Sequence, residues 1–305
     1  MNEVRGLLEC RCPGLHARVE LMLAASEARY SRQNQQPRSE FLLEHSRRTA
    51  AIARALAVRE GCDPFLPVLV ALLHDAGKFH DGGYHQDGVA EEEHAARLAE
   101  VLLAESGLER SAVEAVARGL RSLYDDRLPC DGLGAIVQDA DRLDKLGALG
   151  VASFFTKATL RGRGLVDAVS SSLSRELSHA LAAPGAMLTA AGRALARDQS
   201  ARTLAFFDDL LRQLEGLGIA AFQRRTLAVE GEFRSRDGAR VRQVQATVVM
   251  PRACPDCEAP IALSHRVERG LKCEMLKARF ACEACAYERE VSFCLPVLAA
   301  PAAKE

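Results

Sequence analysis

The chain has 305 residues, 48% of them hydrophobic and 5% aromatic, with no Trp and a formal net charge of −1. That length accommodates one large domain and a smaller one, and the near-zero charge excludes a global basic field of the kind that binds nucleic acid wholesale. No apolar run approaches the roughly 20 residues of a bilayer span, and Met1 to Gly14 has no apolar secretory stretch, so a cytoplasmic protein without membrane partners is expected.

From Leu15 to Ser31 apolar residues recur at helical spacing (Leu15, Val19, Leu23), and a polar loop with Pro37 follows. Residues 1–39 are expected to pack as a helix and loop on the domain behind them. Cys10 and Cys12 form a C-x-C without nearby partners and read as incidental. From Glu40 the helical pattern strengthens: Leu42, His45, Thr49, Ile52 and Leu56 fall three or four apart, which puts His45 on the buried stripe. Gly61 stops this helix, and Asp63-Pro64 opens the next as N-cap and first helical position. An apolar run then ends in Leu72-Leu73-His74-Asp75-Ala76-Gly77-Lys78. Adjacent helical residues point about 100° apart, so this imidazole and carboxylate can meet one ion only where the helix ends. Gly77 to Ala90 is a glycine-rich polar loop with His80, Asp81, Tyr84, His85 and Asp87, suited to substrate contacts.

Glu91-Glu92-Glu93 opens a helix with acids in its first turn, and His94, Leu98 and Val101 share one face of it. A further helix covers Arg110 to Leu123, Asp125 to Gly134 is a turn region, and Ala135 to Gly150 reads as one helix. Within it Asp141 and Asp144 face the same way among Ile136, Val137, Ala140 and Leu143, which is unusual company for a solvated carboxylate. Two helices follow, 166–181 and 186–215, separated at Pro184-Gly185. Gly216-Leu217-Gly218 marks the expected boundary between a helical domain at 40–216 and a tail at 222–305. After Phe222 the period changes from helical to two, and Asp237-Gly238 is a hairpin signal. The fold expected is mainly α, an all-helical domain followed by a small β-rich one.

Two constellations carry chemistry. The first is His45, His74, Asp75 and Asp141, spread over three helices. Imidazole nitrogen and carboxylate oxygen suit a divalent first-row ion such as Mn, Fe, Ni or Zn, and such an ion activates water and neutralises phosphate charge. The ordered pattern of His45, then His74-Asp75, then Asp141 in Asp139-Ala140-Asp141-Arg142-Leu143-Asp144 resembles the HD superfamily of metal-dependent phosphohydrolases, over about residues 17–215. The resemblance implies that these four residues are metal ligands and that the fold is helical. Members with two metals add two histidines between the HD pair and the last Asp. His94 matches the first, but Arg121 stands at the second, and a guanidinium cannot ligate a cation. One metal is therefore expected, with His94 in an acid/base or supporting role and Arg121 facing a substrate phosphate. Lys78 resembles the lysine that often follows HD in this family and is expected to meet phosphate or a carboxylate of the site. Asp75 is expected to ligate, Asp75 or a nearby group to help deprotonate the water, and Asp144 to orient a ligand or a water. The substrate implied is a nucleotide or other small phosphoester, and the alternatives are an inactive HD scaffold or a nuclease.

The second constellation is Cys254, Cys257, Cys282 and Cys285. Ten cysteines in a cytoplasmic chain need a reason other than disulfides, and two C-x₂-C knuckles in a β-rich context fit a Cys₄ zinc ribbon. Cys273, Cys294 and His265 are spare candidates. Arg224, Arg225, Arg234, Arg236, Arg240 and Arg242 gather in the first hairpin, but acids intervene and aromatics are few, so a protein contact or a lid role is expected there ahead of nucleic acid.

Overall fold

The structure, a computed structural model, describes residues 2–35, 39–82, 88–123, 132–234, 240–269 and 274–295. Tyr84, His85, Asp87, Asp125 to Cys130, Arg236, Asp237-Gly238 and Cys273, singled out above, lie outside the described residues. The described residues form ten α-helices followed by five strands, the mainly α order expected. Backbone packing groups the chain into two compact units, Met1–Asp144 with Met187–Gly192, and Lys145–Ala186 with Arg193–Glu305. These units cut across the helical stretch that the sequence assigns to one domain at 40–216.

The first unit is organised by α4 (Phe65–Leu73), in which Phe65 and every residue from Pro67 to Leu73 are buried. A helix apolar on all sides has to be enclosed. α3 (Phe41–Arg59), α6 (Arg110–Arg121) and α7 (Gly132–Asp144) pack around it. Asp63 caps its first turn, accepting the Phe65 N–H at 3.0 Å. The start of α3 is capped from another helix, α2 (Leu15–Gln33). Buried Glu27 accepts the Leu42 N–H with both oxygens, at 3.2 and 3.1 Å, and the Ser39 hydroxyl at 2.7 Å. The end of α2 in turn holds the segment after α4, since Tyr30 stacks on Phe79 at 4.1 Å and Asn34 donates to the Gly82 carbonyl at 3.2 Å.

Because α4 is enclosed, its C-terminal end lies in the interior. The chain leaves it through tight turns, with Ala76 N–H on Leu73 O and Lys78 N–H on Asp75 O, both at 3.0 Å. Gly77 makes this turn possible. A Cβ there would sit 2.1 Å from the Glu91 carbonyl oxygen and 2.7 Å from the Ala95 nitrogen, at the start of α5 (Glu91–Glu105).

Two helix boundaries differ from those expected. The helix read at 135–150 is two, α7 and α8 (Gly147–Leu160), because Gly147 adopts φ +63° and turns the chain. Its N–H goes to the Thr203 hydroxyl at 2.7 Å. The break expected at Pro184-Gly185 comes later. α9 (Leu165–Ala186) runs through Pro184 in its last turn, where a missing N–H removes one bond only. α10 (Ala190–Gly216) starts after Met187 to Thr189, a segment tied to α7 by Asp139. That carboxylate accepts the N–H groups of Leu188 and Thr189 and the Thr189 hydroxyl, at 2.8–3.1 Å.

In the second unit β1 (Phe222–Arg234) and β2 (Arg240–Pro251) form an antiparallel hairpin. β3 (Ile261–Arg269), β4 (Glu274–Cys282) and β5 (Glu288–Cys294) form an antiparallel sheet in that order. One face of the hairpin shares a core with the sheet, through Val229, Val244 and Val248 against Leu276, Phe280 and Val291. Phe222 and Val249 instead pack with Phe154, Leu173, Leu177 and Phe207 of α8, α9 and α10.

Gly77→Ala is expected to cost about 1–3 kcal/mol by overpacking, because backbone rather than a flexible side chain must give way. Thermal denaturation followed by circular dichroism reads this as a lowered midpoint.

Candidate metal centres

α3, the end of α4 and α7 bring His45, His74 and Asp141 together, with one ligand atom of each within 4.8 Å of the others. All three are buried. His45 Nε2 lies 3.2 Å from His74 Nε2 and 3.3 Å from Asp141 Oδ1. Asp75 is also buried and flanks both rings, with Oδ2 at 3.6 Å from His45 Nε2 and Oδ1 at 3.6 Å from His74 Nε2.

The far nitrogen of each ring decides what the near one offers. His74 Nδ1 is 2.7 Å from the Ala71 carbonyl oxygen, which can only accept, so that nitrogen carries the proton. His45 Nδ1 is 2.8 Å from Asp144 Oδ2, again an acceptor. Both Nε2 atoms therefore turn a lone pair toward one point that two carboxylates also face. Such a set suits a divalent first-row cation, and the residues present fit the metal that an HD arrangement implies. A proton competes for the same position. Burial pushes the His45 pKa down, but Asp141 and Asp144 outweigh it and leave the pKa raised, so metal uptake is expected to displace a proton.

Asp144 is itself clamped. Its Oδ1 accepts from Arg48 Nε at 2.7 Å and its Oδ2 from a second guanidinium nitrogen at 3.0 Å. Burial would raise its pKa, yet His45 and Arg48 hold it below the ordinary range. Arg48, one turn after His45, was not singled out in the sequence, although its helical spacing from His45 was the available signal. Lys78 Nζ lies 2.7 Å from Asp75 Oδ2. Burial works against the Asp75 carboxylate, but Lys78, His74 and His45 hold its pKa well below the usual range.

Residues 42–146 match the family model of the HD domain. The chain carries an HD domain. It is similar to a crystal structure of a predicted HD superfamily hydrolase from an uncultured Thermotogales bacterium, 26% identical over 68% of this chain and 96% of that one, with a TM-score of 0.47. Another similar structure is Bacillus subtilis YpgQ in complex with ADP, 24% identical over 57% of this chain and 89% of that one, TM-score 0.44. A third is an HD-superfamily hydrolase from Bacillus thuringiensis, 21% identical over 66% of this chain and 98% of that one, TM-score 0.46. A comparison with curated proteins gives no match.

Two residues expected at the HD site stand apart from the mutually close ligand set. His94 is buried in the first turn of α5, and its Cβ lies next to Gly77. Arg121 is engaged by carboxylates of α5, with Nε on Glu93 at 2.8 Å and another nitrogen on Glu100 at 2.9 Å. These two bonds raise its pKa further. In this structure Arg121 joins α6 to α5, where a position facing a substrate phosphate was expected from the motif.

The second unit holds the other cluster. The thiols of Cys254, Cys257, Cys282 and Cys285 lie within 4.8 Å of one another. Cys254 Sγ is 3.4 Å from Cys285 Sγ and Cys257 Sγ 3.5 Å from Cys282 Sγ. That is too long for a disulfide and close to the edge of a tetrahedron with Zn–S near 2.3 Å, about 3.8 Å. Both knuckles close alike. The Cys254 N–H donates to Ala259 O at 2.8 Å and the Cys282 N–H to Tyr287 O at 3.0 Å, each five residues on. Burial raises the Cys282 thiol, but the N–H groups of Ala284 and Cys285 and its thiol neighbours bring it down to about 7. The Tyr287 N–H lowers Cys285, yet the other three sulfurs push it up to about 12. Four thiolates at this spacing need a cation. The cluster fits a zinc ribbon, and His265 and Cys294 are not among its four mutually close ligands.

Asp144→Asn, which loses the charge behind His45, is expected to weaken metal binding at the HD site about 10–100-fold, measured by competition with a chromophoric chelator. Cys257→Ser is expected to remove one zinc per chain in elemental analysis while the HD-site metal remains.

Proposed function

We propose that the protein is a metal-dependent phosphohydrolase acting on a small phosphoester, with a nucleotide as the leading class. One observation carries this: two buried imidazole lone pairs and two carboxylates directed at one point. His45, His74, Asp75 and Asp141 would hold a divalent cation. When bound, that cation supplies an activated water and a positive charge opposite the phosphoryl oxygens.

The chain's own residues divide the remaining work. Asp144 and Ala71 keep the two rings in the tautomer that ligates. Asp75 lies against both rings and against Lys78. It acts as ligand and as the anchor for Lys78. Lys78, a partly exposed cation in contact with the cluster, offsets charge that develops on the transferring group.

The test is hydrolysis of a panel of nucleotides and an aryl phosphate by purified protein supplied with Mn, Fe, Ni or Zn. Asp75→Ala is expected to abolish turnover. Lys78→Ala is expected to lower kcat by about 10²–10³ by analogy with loss of one preorganised charge-stabilising donor, with metal content unchanged. No Asp75-dependent turnover with any metal would sink the proposal.

A further inference from the structure

The β1–β2 hairpin has two edges, and α9 satisfies one of them. The Thr247 N–H donates to Ser178 Oγ and the Val249 N–H to Ser174 Oγ, both at 2.9 Å. The same hydroxyls return bonds to the carbonyls of Thr247 and Val249, at 3.0 and 3.4 Å. Two serines one turn apart on a helix stand in for a third strand.

These bonds also fix which way β1 faces. In an antiparallel pair, a residue that turns its N–H and C=O away from the partner strand is opposed by one that does the same. Thr226 opposes Thr247 and Arg224 opposes Val249. Arg224 and Thr226 therefore turn their backbone groups outward. So do Ala228 and Glu230 by the period of two, because the register is unbroken until after Glu230. All four residues are exposed, and no other described strand pairs with β1. An edge of this kind is a template for another strand.

We propose that this edge receives β1 of a second copy of the chain, antiparallel, to make a continuous four-stranded sheet across a two-fold axis. Outward groups sit on even-numbered residues, so hydrogen-bonded pairs must join even to even. Among such registers, the one centred on Leu227 sets Arg224 opposite Glu230 of the partner subunit, and Glu230 opposite Arg224 of the partner subunit. Thr226 then faces Ala228 of the partner subunit, and the two half-buried Leu227 side chains meet on the opposite face, beside buried Val229. Opposite charges directly across a strand pair favour it, and an isologous contact satisfies both pairs at once. Arg224 bonds Asp208 of its own chain through one terminal nitrogen, which leaves its other nitrogens for the carboxylate. An unrelated peptide has no built-in match to an arginine and a glutamate placed symmetrically about Leu227.

Sedimentation velocity on the full zinc-loaded chain, from about 1 to 100 µM, tests this against the micromolar affinity of a modest interface. The wild type is expected to dimerise reversibly. Ala228→Pro removes an outward N–H and leaves the β1–β2 ladder bonded. Glu230→Arg places like charges opposite each other at both ends. Each is expected to raise the dissociation constant at least about tenfold, with circular dichroism and zinc content unchanged. If the proline variant misfolds, Glu230→Arg decides alone. A wild type that stays monomeric, or a dissociation constant unchanged in either folded variant, overturns the proposal.

Discussion

Two imidazole nitrogens 3.2 Å apart, each with its lone pair turned inward by a partner behind its ring, set the terms for the first unit. Such an arrangement is unfavourable in an apolar interior unless a cation or a proton occupies the point between them. Everything around it serves to hold the groups there. α4 is enclosed so that its end arrives in the interior. Gly77 lets the chain turn away beneath α5, and the Arg48–Asp144 pair fixes the ring that reaches in from α3. Among the anchoring groups Asp144 is as buried as the ligands, and Arg48, partly exposed, closes over it.

The Cys₄ cluster repeats this logic with different atoms. Thiols are brought within van der Waals contact by two knuckles of matching backbone geometry. The resulting spread of thiol pKa values, from about 7 at Cys282 to about 12 at Cys285, is what a shared site does to groups that cannot all ionise alone. In both clusters, mutually repelling donors are held close by a scaffold built from other residues.

Much of this was legible in the sequence. His45 could be placed on a buried stripe because a period of 3.6 runs through its helix, and the knuckles because two cysteines three apart have few other uses. What escaped depended on neighbours that lie far along the chain. Arg121 occupies a ligand position of the motif, but Glu93 and Glu100, on another helix, decide its role. The run from Ala135 to Gly150 keeps a helical pattern, and only the left-handed conformation of Gly147 divides it. The affiliation of α9 was equally hidden. Its apolar stripe looks like that of any bundle helix, and nothing local reveals that Ser174 and Ser178 bond a β-strand.

Those serines have a consequence for the order in which the molecule is made. Ser174 and Ser178 precede their partners on β2 by 75 and 69 residues. At translation rates of about 5–20 residues per second the partners follow about 4–15 seconds later. Met187 to Gly192, by contrast, complete the first unit when they appear, since Asp139 is already waiting for their N–H groups. The nascent chain thus carries a finished first unit and a helix whose Ser174 and Ser178 hydroxyls lack their β2 partners until the hairpin emerges. A chain cut at Gly218, where the secondary structure changes from helix to strand, would leave α8, α9 and α10 permanently in that unfinished state.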